Sequence, residues 1–115
     1  MALPLFLEKI KNNVPVSFAE TIAIIDENYH YQPTEFSNGD LLNAAGTNEG
    51  SCRIFAFALL HQLDPQQTLG LFGDYYRQEV LNDPEGTGHQ NIRNFMRQGW
   101  GGVRFKGQAL TAITR

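Results

Sequence analysis

Between Cys52 and Leu63 the chain offers a helix almost no polar face, because Cys52, Ile54, Phe55, Ala56, Phe57, Ala58, Leu59, Leu60 and Leu63 are spread around the whole circumference. A helix that is apolar on every side has to be enclosed by the rest of its fold. Ser51 stands where an N-cap is expected, with Cys52 in the first turn. The segment therefore predicts a central helix, with Leu59 among its packed residues. At 115 residues the chain has the length of one domain, and one domain over 1–115 is expected.

The flanking sequence supplies the cover. Leu3, Phe6, Leu7 and Ile10 follow helical spacing until Asn12, Asn13 and Pro15 end the pattern. Ser17 and Glu20 form a capping box, after which Phe18, Ile22, Ile25 and Tyr29 line one helical face. Asp64, Pro65 and Gln67 open a fourth helix carrying Leu69, Phe72, Tyr76 and Val80, and Asn82-Asp83-Pro84 stops it. Gly70 and Gly73 within it predict close approach by the region of Ala56 and Ala58. Ile92, Phe95 and Met96 mark a fifth helix that ends at Gly99. Val103 and Phe105 alternate with Arg104 and Lys106, the pattern of a short strand, which is expected to pair near Tyr31. The fold class that results is mainly helical α+β, with five helices around the central one and a minor two-stranded β element.

The longest apolar run, Ile54 to Leu60, is too short for a membrane span, so no membrane partner is expected. A single Cys forms no internal disulfide and fits a reducing cytoplasm. Charge is distributed unevenly. Met1 to Gly50 holds seven acids and two bases, whereas nothing acidic follows Glu85 and the tail carries Arg93, Arg97, Arg104, Lys106 and Arg115. An isoelectric point near 5.5 argues against nucleic acid as a partner, because phosphate backbones select dense basic faces.

Five segments occur in an order and spacing that resemble the HopJ type III effector family. They are Phe36-x-Asn38-Gly39-Asp40 with Asn43 and Gly46, then Asn48-Glu49-Gly50-Ser51-Cys52, Phe72-Gly73-Asp74-Tyr75-Tyr76, His89-Gln90-Asn91-Ile92-Arg93-Asn94-Phe95-Met96, and Gly99-Trp100. The match spans nearly the whole chain. It implies a bacterial effector, secreted into a host cell and with a host protein as target, and it implies no particular chemistry.

Three constellations carry candidate chemistry. Cys52 in a helical first turn beside Arg53 is placed for a lowered thiol pKa, and a nucleophile there needs an imidazole within reach. His61 lies nine residues further along the same helix, roughly 13 Å away at the α-helical rise, which leaves His89 as general base with Asn48 or Asn91 to orient it. His89, Arg93 and Arg97 recur at i, i+4 and i+8 and form a cationic helix face suited to a carboxylate or phosphate. The Asn38 to Ser51 loop holds Asn38, Asp40, Asn43 and Asn48, but its spacing is not that of a calcium loop, and turn formation and helix capping account for those residues. Scattered His and Cys do not make a zinc site, and Gly86-Thr87-Gly88 is too short for a nucleotide loop, so no metal and no cofactor are expected. The reading that follows is a non-enzymatic domain binding an anionic small molecule or acidic protein segment through His89, Arg93 and Arg97. The alternative is a cysteine-dependent hydrolase or transferase using Cys52 and His89.

Overall fold

The helix starts follow their capping chemistry. The Ser17 hydroxyl accepts from the Glu20 backbone N–H at 3.0 Å while the Glu20 carboxylate accepts from the Ser17 N–H, and Asp64 with Gln67 repeats the arrangement. The structure is a computed structural model that describes residues 2–113, so Met1 and Arg115 lie outside the described residues. The α-helices are α1 (Leu3–Lys11), α2 (Phe18–Asn28), α3 (Glu49–Leu60), α4 (Pro65–Gly70) and α5 (Gln90–Gln98). A π-helical segment, Tyr75–Val80, follows α4, and a 3-10 turn, Gly99–Gly102, follows α5. The strands are β1 (Tyr29–Tyr31), β2 (Phe36–Asn38), β3 (Leu41–Asn43), β4 (Val103–Phe105) and β5 (Leu110–Ala112). The chain is mainly helical α+β.

The β structure differs from the expected pairing of Val103 with the Tyr31 region. Among the described residues two antiparallel sheets form instead. β1 pairs with β5, Tyr31 opposite Leu110, and β2 sits between β3 and β4, with Phe36 opposite Phe105. The Phe36 and Phe105 rings stack at 5.0 Å, so a cross-strand aromatic pair fixes that register.

Cys52, Ile54, Phe55, Ala56, Phe57 and Ala58 of α3 are all buried. Phe55 is fully enclosed, with the rings of Phe36, Phe72, Phe95 and Trp100 between 5.0 and 6.2 Å from its own. Leu59 and Leu60, however, are 45% and 50% exposed. The last turn of α3 runs out past the layer that covers its start, so placing Leu59 in the packed core was wrong. Periodicity cannot show where a buried helix emerges.

The fourth helix is also shorter than its apolar pattern suggests. Gly73 takes a left-handed φ of +62° and separates α4 from the π-helical segment. A β-carbon there would lie 2.6 Å from the Phe18 backbone nitrogen, so the close neighbour is the start of α2 rather than Ala56 and Ala58. Gly70 has nothing near its missing side chain.

In α1, Phe6 is fully buried and Ile10 is 5% exposed, with the Phe6 ring edge-on to Phe57 at 6.2 Å. Deleting residues 1–13 therefore uncovers α3. The expected product is expanded and binds hydrophobic dye, with secondary structure outlasting fixed packing. Circular dichroism with dye fluorescence measures this, and a cooperatively unfolding truncated chain would show α1 to be dispensable.

Candidate functional site

The asparagines of the β2–β3 hairpin and of α5 meet in the interior. Asn38, Asn43, Asn91 and Asn94 are at most 6% exposed. The Asn91 side-chain oxygen accepts from the amides of Asn38 and Asn43 at 3.0 and 3.1 Å, and its own amide donates to the Asn43 oxygen at 2.9 Å. Asn48 donates to that same oxygen at 2.7 Å. Asn94 donates to the Asn38 carbonyl at 2.9 Å, and the Asn38 side-chain oxygen is buried without a partner. A connected polar network of this kind fixes position, since each misplaced member leaves a costly unpaired group. It ties the hairpin to the starts of both α3 and α5.

Those two starts open onto one cleft of about 580 Å³. The N-cap residues, Asn48 for α3 and His89 for α5, both adopt left-handed backbone conformations, and neither side chain caps its helix. Asn48 is drawn to Asn43, and His89 Nε2 sits 3.0 Å from Glu79 Oε1. The first-turn N–H groups of Gly50, Ser51, Gln90, Asn91 and Ile92 consequently have no partner among the described residues, and all five residues line the cleft. Phe18 and Tyr75 form an aromatic wall, their rings edge-on at 5.0 Å, with Tyr75 presented by the π-helical segment. No acidic residue lines the cleft among the described residues. Ser51, expected as a cap, lies instead inside the first turn and lines the cleft.

Cys52 does not face this cleft. It is 1% exposed, its thiol donates to the Thr34 carbonyl at 3.5 Å, and burial pushes the thiol pKa up. Arg53 cannot reverse this, because it pairs with Asp26 at 3.1 Å and lies 3.9 Å over the Tyr31 ring. With His89 on Glu79, the structure does not bring Cys52 and His89 together, and an enclosed protonated thiol is a poor nucleophile. A related cause acts on His61: burial lowers its pKa, and it meets the Tyr29 hydroxyl at 2.6 Å.

The expected cationic face divides in two. Arg93 is 8% exposed and turned inward, with Nε donating to the Gly88 carbonyl at 2.6 Å and Nη1 to the Asp83 carbonyl at 2.7 Å. Arg97 is exposed and donates to the Asn94 side-chain oxygen. Arg93 and Arg97 line a separate cavity, while His89 belongs to the cleft. One anion does not reach all three. The buried run Asn91 to Phe95 is what helical spacing missed, and its one visible signal was that Asn91 and Asn94 flank the apolar positions Ile92 and Phe95.

Among the described residues no group of three or more His, Cys, Asp or Glu is placed to hold a metal, and no helix is long and apolar enough to cross a membrane. Among curated proteins none matches this chain. A solved structure, the crystal structure of the unknown-function protein VPA0580, is 47% identical and superimposes with a TM-score of 0.96, covering 98% of this chain and 95% of that one. The family model described as HopJ type III effector protein matches residues 3–110, which include the hairpin, both helix starts and the asparagine network. The chain belongs to the HopJ type III effector family.

Proposed function

We propose that this effector-family domain is a non-enzymatic binder of a small anion, a phosphate or carboxylate, in the cleft between the starts of α3 and α5. One observation carries the reading. Among the described residues, unpaired N–H groups from two helices, the Ser51 side chain and the His89 imidazole border one cleft that has no acid in its lining. Helix starts favour negative charge because their N–H dipoles are uncompensated, and two of them directed at one space act together. Glu79 shares His89, so an arriving anion competes with that carboxylate for the imidazole. An acidic segment of a host protein presents the same chemistry, and the family description supports delivery of the domain into a host cell by type III secretion.

Calorimetric titration with inorganic phosphate and with citrate tests the reading. Wild type is expected to bind at least one of them. Ser51→Glu, which sets a fixed negative charge where the ligand's charge would rest, is expected to weaken binding by about tenfold or more, equivalent to about 1.4 kcal/mol. Absence of binding by both anions, or undiminished binding by Ser51→Glu, overturns the proposal. Arg93→Ala is not a suitable probe, because Arg93 holds the turn before α5 through the Asp83 and Gly88 carbonyls.

A further inference from the structure

Arg93 is a cation held in the interior by backbone groups. It makes no ion pair with a carboxylate among the described residues, although it is 8% exposed. Two backbone carbonyls take its Nε and Nη1, and Nη2 has no hydrogen-bond acceptor among the described residues. Buried charges are ordinarily paired, since removing a charge from water is costly and a guanidinium does not shed its proton. The Asp83 carboxylate lies close to Nη2 without pairing with it, and both border the position that a β-carbon on Gly86 would take. A β-carbon on Gly86 would press on that carboxylate and lie 2.8 Å from Arg93 Nη2, so the glycine keeps this space open.

The space adjoins a cavity of about 290 Å³ whose lining combines Arg93 and Arg97 with Val80, Leu81, Pro84 and Met96. Leu81 and Met96 stand at its rim, 47% and 44% exposed. It shares no lining residue with the cleft between α3 and α5. Its chemistry is therefore mixed, two arginines among aliphatic side chains, with no acid in the lining among the described residues. The volume lies at the low end for ligand pockets, which suits a small molecule or the last residue of a chain.

We propose that this cavity is a second site, which binds a carboxylate borne on a short aliphatic chain. Arg93 and Arg97 take the carboxylate, for which a guanidinium offers parallel N–H donors, and Val80, Leu81, Pro84 and Met96 cover the chain. Such a group occurs on a free aliphatic acid and on a polypeptide ending in an aliphatic residue. The experiment separates the two.

Binding of hexanoate, N-acetylleucine, acetate and hexanamide to the full chain is followed by NMR titration, reading the Met96 methyl and the Arg97 side-chain N–H. Hexanoate or N-acetylleucine is expected to bind at least about tenfold more tightly than acetate, because each added methylene that is covered contributes. Hexanamide, lacking the charge, is expected to be at least about tenfold weaker than hexanoate. Tighter binding of N-acetylleucine assigns the site to a chain terminus, and tighter binding of hexanoate assigns it to a free acid. Arg97→Gln, a change at an exposed position, is expected to lose about tenfold, while Arg104→Gln on β4 changes nothing. The proposal is overturned if neither acid binds, if acetate binds as well as hexanoate, or if Arg97→Gln and Arg93→Lys both bind like wild type.

Discussion

Phe55→Ala is expected to cost about 3–5 kcal/mol of folding stability, the range for emptying a fully packed aromatic position. Phe55 is fully buried, and the rings around it come from β2, from the stretch after α4, from α5 and from the 3-10 turn. Those surroundings belong to separate elements held by their own hydrogen bonds, so they cannot all close on the vacated space. Leu59→Ala, four residues along α3, is expected to cost below about 1 kcal/mol, because 45% of Leu59 is already exposed. Chemical denaturation of both variants measures the contrast. Similar losses at the two positions would mean that α3 is not enclosed as described.

The comparison of Phe55 with Leu59 also marks how far the fold is readable from the amino-acid order. Ser17 with Glu20 and Asp64 with Gln67 are local devices in which a side chain meets a backbone group three residues away, and both form as the spacing predicts. The fate of Leu59 depends on where neighbouring elements end, which no local pattern contains. Strand pairing fails for the same reason: Val103 and Leu110 are both short apolar openings, and only the path of the chain decides which meets β1. Gly73 was visible as an oddity, yet the partner that requires it is the backbone of Ser17 and Phe18, more than fifty residues earlier.

The candidate site was legible in its members and not in its arrangement. His89, Arg93 and Arg97 share a helical stripe, but helical spacing fixes only which residues face alike, not whether that face meets solvent or protein. Arg93 is turned inward by two carbonyls of the preceding turn, contacts that a helical wheel does not represent. Cys52 shows the converse. α3 starts three residues earlier than Ser51 suggests, so the Cys52 N–H is already bonded to the Asn48 carbonyl, and the strand connection at Thr34 closes over the sulfur.

Asn91→Ala is expected to cost about 2–5 kcal/mol and to weaken phosphate binding in the cleft as well. The side chain is one small amide on a nine-residue helix, so packing alone would give a smaller loss. Its removal leaves the Asn43 amide with only the Phe36 carbonyl at 3.4 Å and takes one of two acceptors from the Asn38 amide. A buried polar group deprived of its partner costs about 1–3 kcal/mol, and here two donors lose an acceptor together. Asn91→Asp gives a sharper test, because it replaces the amide donor facing the Asn43 oxygen with an oxygen. As a carboxylate it repels that oxygen and is buried without a cation, whereas as a neutral acid it donates to it again. Enclosure beside the Asn43 oxygen outweighs the favourable dipole of the α5 start, so its folded-state pKa should rise above the unfolded value, and the variant is most stable below the ordinary carboxyl pKa and loses stability as pH rises through the raised one. Denaturation of Asn91→Asp between pH 4 and pH 8, set against wild type, reads the effect directly. A pH-independent difference would mean that the network does not close around Asn91, and the link from the hairpin to the two helix starts would be lost with it.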